Sequence, residues 1–286
     1  MSKDILLLHV PVITHKIDIL QNNIYIHQCG LFSICNELNK NNIKSEIVNL
    51  ALENEIDNTF SIYDYIKKNK FKIIAFSLHW FFQIYDTLEI AKKIKQIFPD
   101  IYIVFGGYSA SCYAFELLKR YNFIDYIIKG EGEIPCLELS KYLLNNSNTD
   151  IKKVPNLVYK LNGNITENKY KWFASSSELD NFDFSNLRQM KNHQKYYSTQ
   201  PFYITVGRGC NGNCSCCGGG EKITKKIYNR LKISTRNPII IINEIFKLNK
   251  KYNINCFHIA FDPYPDNNDL IINIIEMLGK KLYKKI

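Results

Sequence analysis

A chain of 286 residues, 46% of them hydrophobic, carries enough apolar material for about two globular domains. Its net charge of +10 comes from lysines dispersed along the chain, not from a basic cluster on one element, which argues against a nucleic-acid-binding face. The first apolar run, residues 5–12, is too short for a secretory signal, and no run reaches the length of a membrane span, so neither export nor membrane insertion is expected. Nine cysteines in a chain expected in the cytoplasm read as reduced thiols and metal ligands, not as a disulfide framework.

In chain order, apolar strands alternate with helices. Strands are expected over Asp4–Val10, Ile43–Leu50, Lys72–Leu78, Ile101–Phe105 and Ile124–Ile128. Between and after them lie helices over Gly30–Lys40, Ile62–Asn69, Tyr85–Phe98, Ser111–Tyr121 and Leu137–Leu144. Short apolar strands separated by helices predict a doubly wound parallel sheet over residues 1–146. In such sheets the ligand sits beyond the carboxyl ends of the strands. Those ends carry Ser77, Gly106-Gly107-Tyr108-Ser109 and Gly130-Glu131, with His9 and His79 close by. Glycines there let a bulky planar ligand approach the backbone. The G-x-G-x-x-G and P-loop motifs are absent, so a nicotinamide or nucleoside triphosphate site is not expected.

Residues 147–200 read as a polar linker, with a small hairpin turning at Asn162-Gly163. A third segment, 201–286, opens with an apolar strand from Phe202 that runs into Gly207 and Gly209. Next comes Cys210-Asn211-Gly212-Asn213-Cys214-Ser215-Cys216-Cys217, in which Cys210, Cys214 and Cys217 are spaced C-x3-C-x2-C. Three thiolates on one loop can converge on an inorganic cluster and leave one metal position open. A zinc site would need four ligands, and only the adjacent pair Cys216-Cys217 could complete that number locally. A helix over Ile239–Tyr252, a strand over Cys256–Phe261 ending at Asp262, and a helix over Asp269–Leu282 follow, as in the first units of a parallel barrel.

Two groups of residues resemble a known family. The strand Ile101–Phe105 followed by Gly-Gly-Tyr-Ser-Ala-Ser111, and the strand running into Gly130-Glu131-Gly132-Glu133, resemble the cobalamin-binding domain of cobalamin-dependent radical S-adenosylmethionine (SAM) proteins. Gly30-Leu31 resembles the start of that domain's first helix. The cysteine spacing is similar to the radical SAM signature. The resemblance implies cobalamin at the strand ends, with Ser77, Gly106, Gly107, Ser109, Gly130 and Glu131 as contacts. It also implies a 4Fe–4S cluster on Cys210, Cys214 and Cys217, SAM chelating the fourth iron, and Asp262 beside SAM. The D-x-H-x-x-G motif is missing, so no histidine cobalt ligand of that type is expected. Cys216 departs from the family, which usually has an aromatic residue there. The implied activity is radical chemistry, with methylation of an unactivated carbon as the leading form. Its electron donor would be a flavodoxin or ferredoxin. The family's barrel needs several further β–α units, so the reading is of a C-terminally truncated member, or one completed by another polypeptide. The alternative is a non-catalytic protein that binds cobalamin and a cluster without turnover.

Overall fold

The computed structural model describes residues 3–11, 29–145, 150–197, 201–214, 217, 219–228, 230–259 and 268–283. Five strands form the parallel part of the main sheet: β1 (Ile5–His9), β2 (Ser45–Asn49), β3 (Ile73–Ser77), β4 (Tyr102–Gly106) and β5 (Tyr126–Ile128). Their order is β2-β1-β3-β4-β5, that of a flavodoxin-like doubly wound sheet.

The helices between them are α1 (Cys29–Lys40), α2 (Leu50–Ile56), α3 (Ile62–Asn69), α4 (Ile84–Ile97), α5 (Tyr108–Cys112), α6 (Ala114–Arg120) and α7 (Glu133–Leu143). Successive strand residues point to opposite faces, and the burial follows that rule. Ile5 and Leu7 pack with α1 and α7, while Leu6 and Leu8 pack with α3, α4 and α6. Both faces are covered, so the strands read as continuous apolar runs rather than alternating ones. The single helix expected over Ser111–Tyr121 is two helices, broken at Tyr113, which leaves helical geometry (φ −110°, ψ 24°). An additional short helix, α2, follows β2 directly because the Asn49 side chain accepts from the amides of Ala51 and Leu52 and so caps it.

The stretch expected to be a linker packs into this domain. A hairpin of β6 (Leu157–Leu161) and β7 (Asn164–Glu167) joins the sheet antiparallel to β5, making seven strands in all. Asn162 and Gly163 both take positive φ at the turn, as a two-residue hairpin loop demands. Helices α8 (Ser176–Asn181) and α9 (His193–Tyr196) follow, and Met190 bridges back to Ile47 in β2.

The last segment builds two small sheets. β8 (Phe202–Ile204) pairs in parallel with β11 (Phe257–Ile259), and β9 (Gly207–Arg208) pairs antiparallel with β10 (Ser234–Thr235). Helix α10 (Glu221–Tyr228) follows the cysteine loop, α11 (Pro238–Tyr252) links β10 to β11, and α12 (Asn268–Tyr283) comes last. The apolar residues Phe202, Ile204, Ile241, Leu248 and Ile274 share one core with Leu7, Leu31 and Leu137 of the first domain. A single body of packed side chains therefore fixes the cysteine loop relative to the main sheet. Among the described residues no helix is long and apolar enough to cross a membrane.

Two predictions follow from this packing. Phe105 is fully buried, its ring 5.1 Å from that of Phe76. Phe105→Ala is expected to cost about 3–5 kcal/mol, read from urea-unfolding midpoints. His9 is also buried, and burial, aided by the nearby His79, holds its pKa down to about 4. The unfolded chain therefore binds a proton that the folded chain refuses. Stability is full above about pH 6.5 and falls by up to about 3 kcal/mol as pH drops toward 4. His9→Gln should flatten that slope in unfolding curves taken across this range.

Candidate functional site

A cavity of about 400 Å³ opens at the carboxyl ends of β1, β3, β4 and β5. Its floor comes from Leu7, Ala75, Val104 and Ile128. One wall is the start of α1, at Cys29, Gly30 and Leu31, and another is the loop from Gly130 to Glu133. Thr205 and Arg208, from the segment leading to the cysteine loop, complete the lining. The first domain and the cysteine-bearing segment thus share one cavity. Burial raises two thiols on its lining, Cys29 to about 11 and Cys136 to about 12, so both stay protonated at neutral pH.

Glycine is required at two points. Gly107 has φ +101°, and a Cβ there would lie 2.7 Å from the Leu78 carbonyl oxygen. Gly130 has φ +81°, and a Cβ there would lie 2.9 Å from the carbonyl oxygen of Tyr228, at the end of α10. Gly107 therefore keeps the β4 turn tight, and Gly130 lets the helix after the cysteine loop seat on the main sheet. Ser111 ties the two loops together: its hydroxyl donates to Gly107 O at 2.7 Å and accepts from Gly130 N at 2.9 Å.

Five expected cofactor contacts line the cavity: Ser77, Gly106, Gly107, Gly130 and Glu131. Ser109 does not. It is buried, and its hydroxyl donates to the His79 carbonyl oxygen at 3.0 Å, which makes it a brace between two loops. His79 lines the cavity. Asp262 and Cys216 lie outside the described residues.

The cysteine loop folds back on itself. Glu221 N, at the start of α10, donates to Gly212 O at 2.9 Å, and Cys217 N donates to Cys214 O at 3.2 Å. A Cβ on Gly212 would stand 3.3 Å from Cys210 Sγ and 3.8 Å from Cys214 Sγ, so both sulfurs face that glycine. Backbone amides reach two sulfurs, Gly212 N to Cys210 Sγ at 3.2 Å and Gly219 N to Cys217 Sγ at 3.4 Å. Hydrogen bonds of this kind to sulfur tune the potential of a cluster that the sulfur ligates. Among the described residues no three His, Cys, Asp or Glu side chains close into one ligand set. The donor chemistry fits an iron–sulfur cluster nonetheless: three soft thiols on one loop, two of them turned to the same glycine, with amides directed at sulfur.

Between cavity and loop lies a largely buried charge network. The Arg208 guanidinium donates to Glu131 at 2.7 Å and to Glu133 at 2.5 Å. Arg230, beyond the cysteine loop, donates from Nε to Glu131 at 2.6 Å. Ser33 on α1 donates to Glu133 at 2.6 Å, and Ala174 N donates to Glu131 at 3.0 Å. Burial alone would raise the Glu133 pKa, but Arg208 and Ser33 outweigh it and hold the carboxyl below the usual range. Arg208 is pushed upward by its two carboxylates against its own burial. Neither arginine was anticipated from the sequence. The one available signal was that Glu131 and Glu133 form a close acidic pair in a chain of net charge +10.

The sheet order and the cavity at its carboxyl edge are the architecture of a B12 binding domain, and the loop of three cysteines follows it on a strand and helix unit. Residues 19–140 match the B12 binding domain family, and the chain as a whole is similar to larger proteins that carry further units beyond such a domain. It is 25% identical over 178 residues to the anaerobic magnesium-protoporphyrin IX monomethyl ester cyclase of Synechocystis sp., a match covering 62% of this chain and 34% of the relative. It is 29% identical over 185 residues to the hopanoid C-3 methylase of Methylococcus capsulatus, covering 60% and 34%. The chain therefore spans about a third of the length of these curated relatives. Among solved structures, the radical SAM methyltransferase TsrM from Kitasatospora setae, with cobalamin and a 4Fe–4S cluster bound, superposes with a TM-score of 0.74 at 15% identity. That superposition covers 99% of this chain and 52% of TsrM. The cobalamin-dependent enzyme OxsB, with aqua-cobalamin and SAM bound, gives 0.70 at 17% identity, covering 96% and 37%. At these identities the likeness defines the architecture.

The glycine geometry makes a paired prediction. Gly107→Ala forces a side chain into left-handed backbone against a carbonyl and should cost about 1–3 kcal/mol. At Gly30 a Cβ meets nothing within 4 Å, so Gly30→Ala should stay within about 1 kcal/mol of wild type. Thermal unfolding of both variants separates the two cases.

Proposed function

We propose that the protein binds cobalamin in the cavity at the carboxyl edge of its main sheet, and a 4Fe–4S cluster with SAM at the cysteine loop, for radical methylation of an unactivated carbon. The observation that carries this reading is the shared cavity, whose lining runs from Gly106-Gly107 to Arg208, two residues before Cys210. Gly106 and Gly107 leave the strand end open to a planar macrocycle. Cys210, Cys214 and Cys217 would hold three irons of the cluster, with the Gly212 and Gly219 amides donating to two of the sulfurs. When bound, the cluster supplies the electron that cleaves SAM, and cobalamin supplies the methyl group. The protein's part is to position and shield both groups. Asp262 is proposed to lie beside SAM.

Methyl transfer rests on the methylase among the relatives and the methyltransferase among the solved structures; the cyclase makes ring closure the alternative reaction. A flavodoxin or ferredoxin is the proposed electron donor, and further parallel strands are proposed to pair with β11. The cell compartment is proposed to be the cytoplasm. A second reading, binding of both groups without turnover, draws on the solvent exposure of Cys214 and Cys217, since a working radical site excludes water.

Anaerobic reconstitution tests these readings. About four irons and four sulfides per chain are expected, together with 5′-deoxyadenosine when SAM and dithionite are added. Replacing any of Cys210, Cys214 or Cys217 with alanine should abolish 5′-deoxyadenosine formation in a chain that still binds hydroxocobalamin. A full cluster without SAM cleavage in the wild-type chain would select the non-catalytic reading.

A further inference from the structure

We infer that Arg208, forked between Glu131 and Glu133, is a positioning residue that couples occupancy of the cavity to the geometry of the cysteine loop. This inference rests on the reading of the cavity and loop as cofactor sites. Four observations carry it. Glu131, Glu133 and Arg208 all line the cavity, so an occupant meets the same side chains that make the fork. Glu133 and Glu131 are nearly inaccessible to solvent, with side chains 1% and 11% exposed, and Arg208 holds both. Arg208 itself is 19% exposed, but with Glu133 sealed from solvent the guanidinium cannot exchange that carboxylate for water cheaply, so the fork moves as a unit.

The third observation is proximity along the chain. Only Gly209 separates Arg208 from Cys210. Gly209 is pinned at φ +94°, and a Cβ there would come within 3.2 Å of both Arg230 Cδ and Ile233 Cα. A shift of the Arg208 backbone is therefore passed to Cys210 instead of being absorbed by a loose turn. The fourth is the return path. Arg230 donates to Glu131 and also to Ser234 Oγ and to the Lys232 and Ala174 carbonyl oxygens, at 3.0 Å in each of these three cases. The carboxylate that meets the cavity is thus tied to the strand entering the cysteine loop and to the chain leaving it.

Coupling of this kind is reciprocal. A ligand that presses on Glu131 or Glu133 must change the affinity of the loop for its cluster, and the cluster must change the affinity of the cavity by the same factor. Arg208→Lys keeps the charge and loses the fork. Glu131→Gln keeps the shape and loses the shared carboxylate.

The experiment is a hydroxocobalamin titration followed by visible absorbance. It is run on the full chain before and after anaerobic reconstitution with iron and sulfide. Wild type is expected to show affinities differing by about 5-fold or more between the two states, within the usual range of site-to-site coupling. In Arg208→Lys and in Glu131→Gln the ratio is expected to fall to about 1 while both ligands still bind. Lys225→Ala, which removes only a surface pair with Glu221, should retain the wild-type ratio. A ratio of 1 in wild type, or an unchanged ratio in both fork variants, overturns the inference.

Hydrogen exchange on the wild-type chain gives a second arm that needs no variant. Hydroxocobalamin alone should slow exchange at amides 207–212 as well as at 130–133. Binding with protection confined to residues before 145 overturns the coupling and leaves the proposed function standing. Absence of hydroxocobalamin binding overturns both.

Discussion

A half-buried guanidinium between a buried carboxylate and a half-buried one decides how the two halves of this protein meet. Removing any one member would strand charge in the interior, at a cost well above that of a surface pair. The apolar core that runs from the main sheet into the β8–α11 region supplies most of the adhesion but little direction, since apolar contact is insensitive to orientation. The Arg208 fork supplies direction. It sets the angle at which the chain enters the cysteine loop, and Arg230 sets how it leaves.

The glycines act on the same contact from the other side. Gly130 admits the backbone of α10 against the first domain, and Gly107 tightens the strand end beneath the cavity. Glycine is thus required for two different reasons a short distance apart: one position needs backbone freedom at a turn, the other needs another chain segment to come close. The acidic residues after Gly130 then find both arginines within reach. The Gly-Glu-Gly-Glu sequence is a docking surface as much as a cavity wall. This explains why the Glu131 carboxylate is taken up by three protein donors.

Much of this was legible in the chain. The five parallel strands announce themselves as apolar runs between helices, and the cysteine spacing marks out the loop on which the proposed function rests. What was not legible depends on partners distant in sequence. Arg208 lies 75 and 77 residues from its carboxylates and Arg230 lies 99 from Glu131, separations that local pattern cannot bridge. The hairpin was visible at Asn162-Gly163, but its place on the sheet was not, because strand pairing is a tertiary choice. Helix α10 went unread because its lysine-rich sequence resembles an exposed loop. Ser109 shows what local pattern leaves open: a polar residue at a strand end can face a ligand or brace the neighbouring loop, and here its hydroxyl bonds to the His79 carbonyl oxygen.

The hairpin β6–β7 has a consequence for how such proteins can be recombined. Because it completes the sheet of the first domain while its continuation packs against β2 and carries the chain to β8, modularity in this architecture does not follow the order of the sequence. A cobalamin-binding half exchanged between relatives at residue 146 would leave its own sheet edge behind and bring raw backbone to the surface. The natural seam lies past Asn192, because Lys191 N still donates to Ile47 O at 2.9 Å and Asn192 Nδ2 to Glu53 at 3.0 Å. Transplanting one half intact also means matching the carboxylate pair of the donor to the arginines of the recipient.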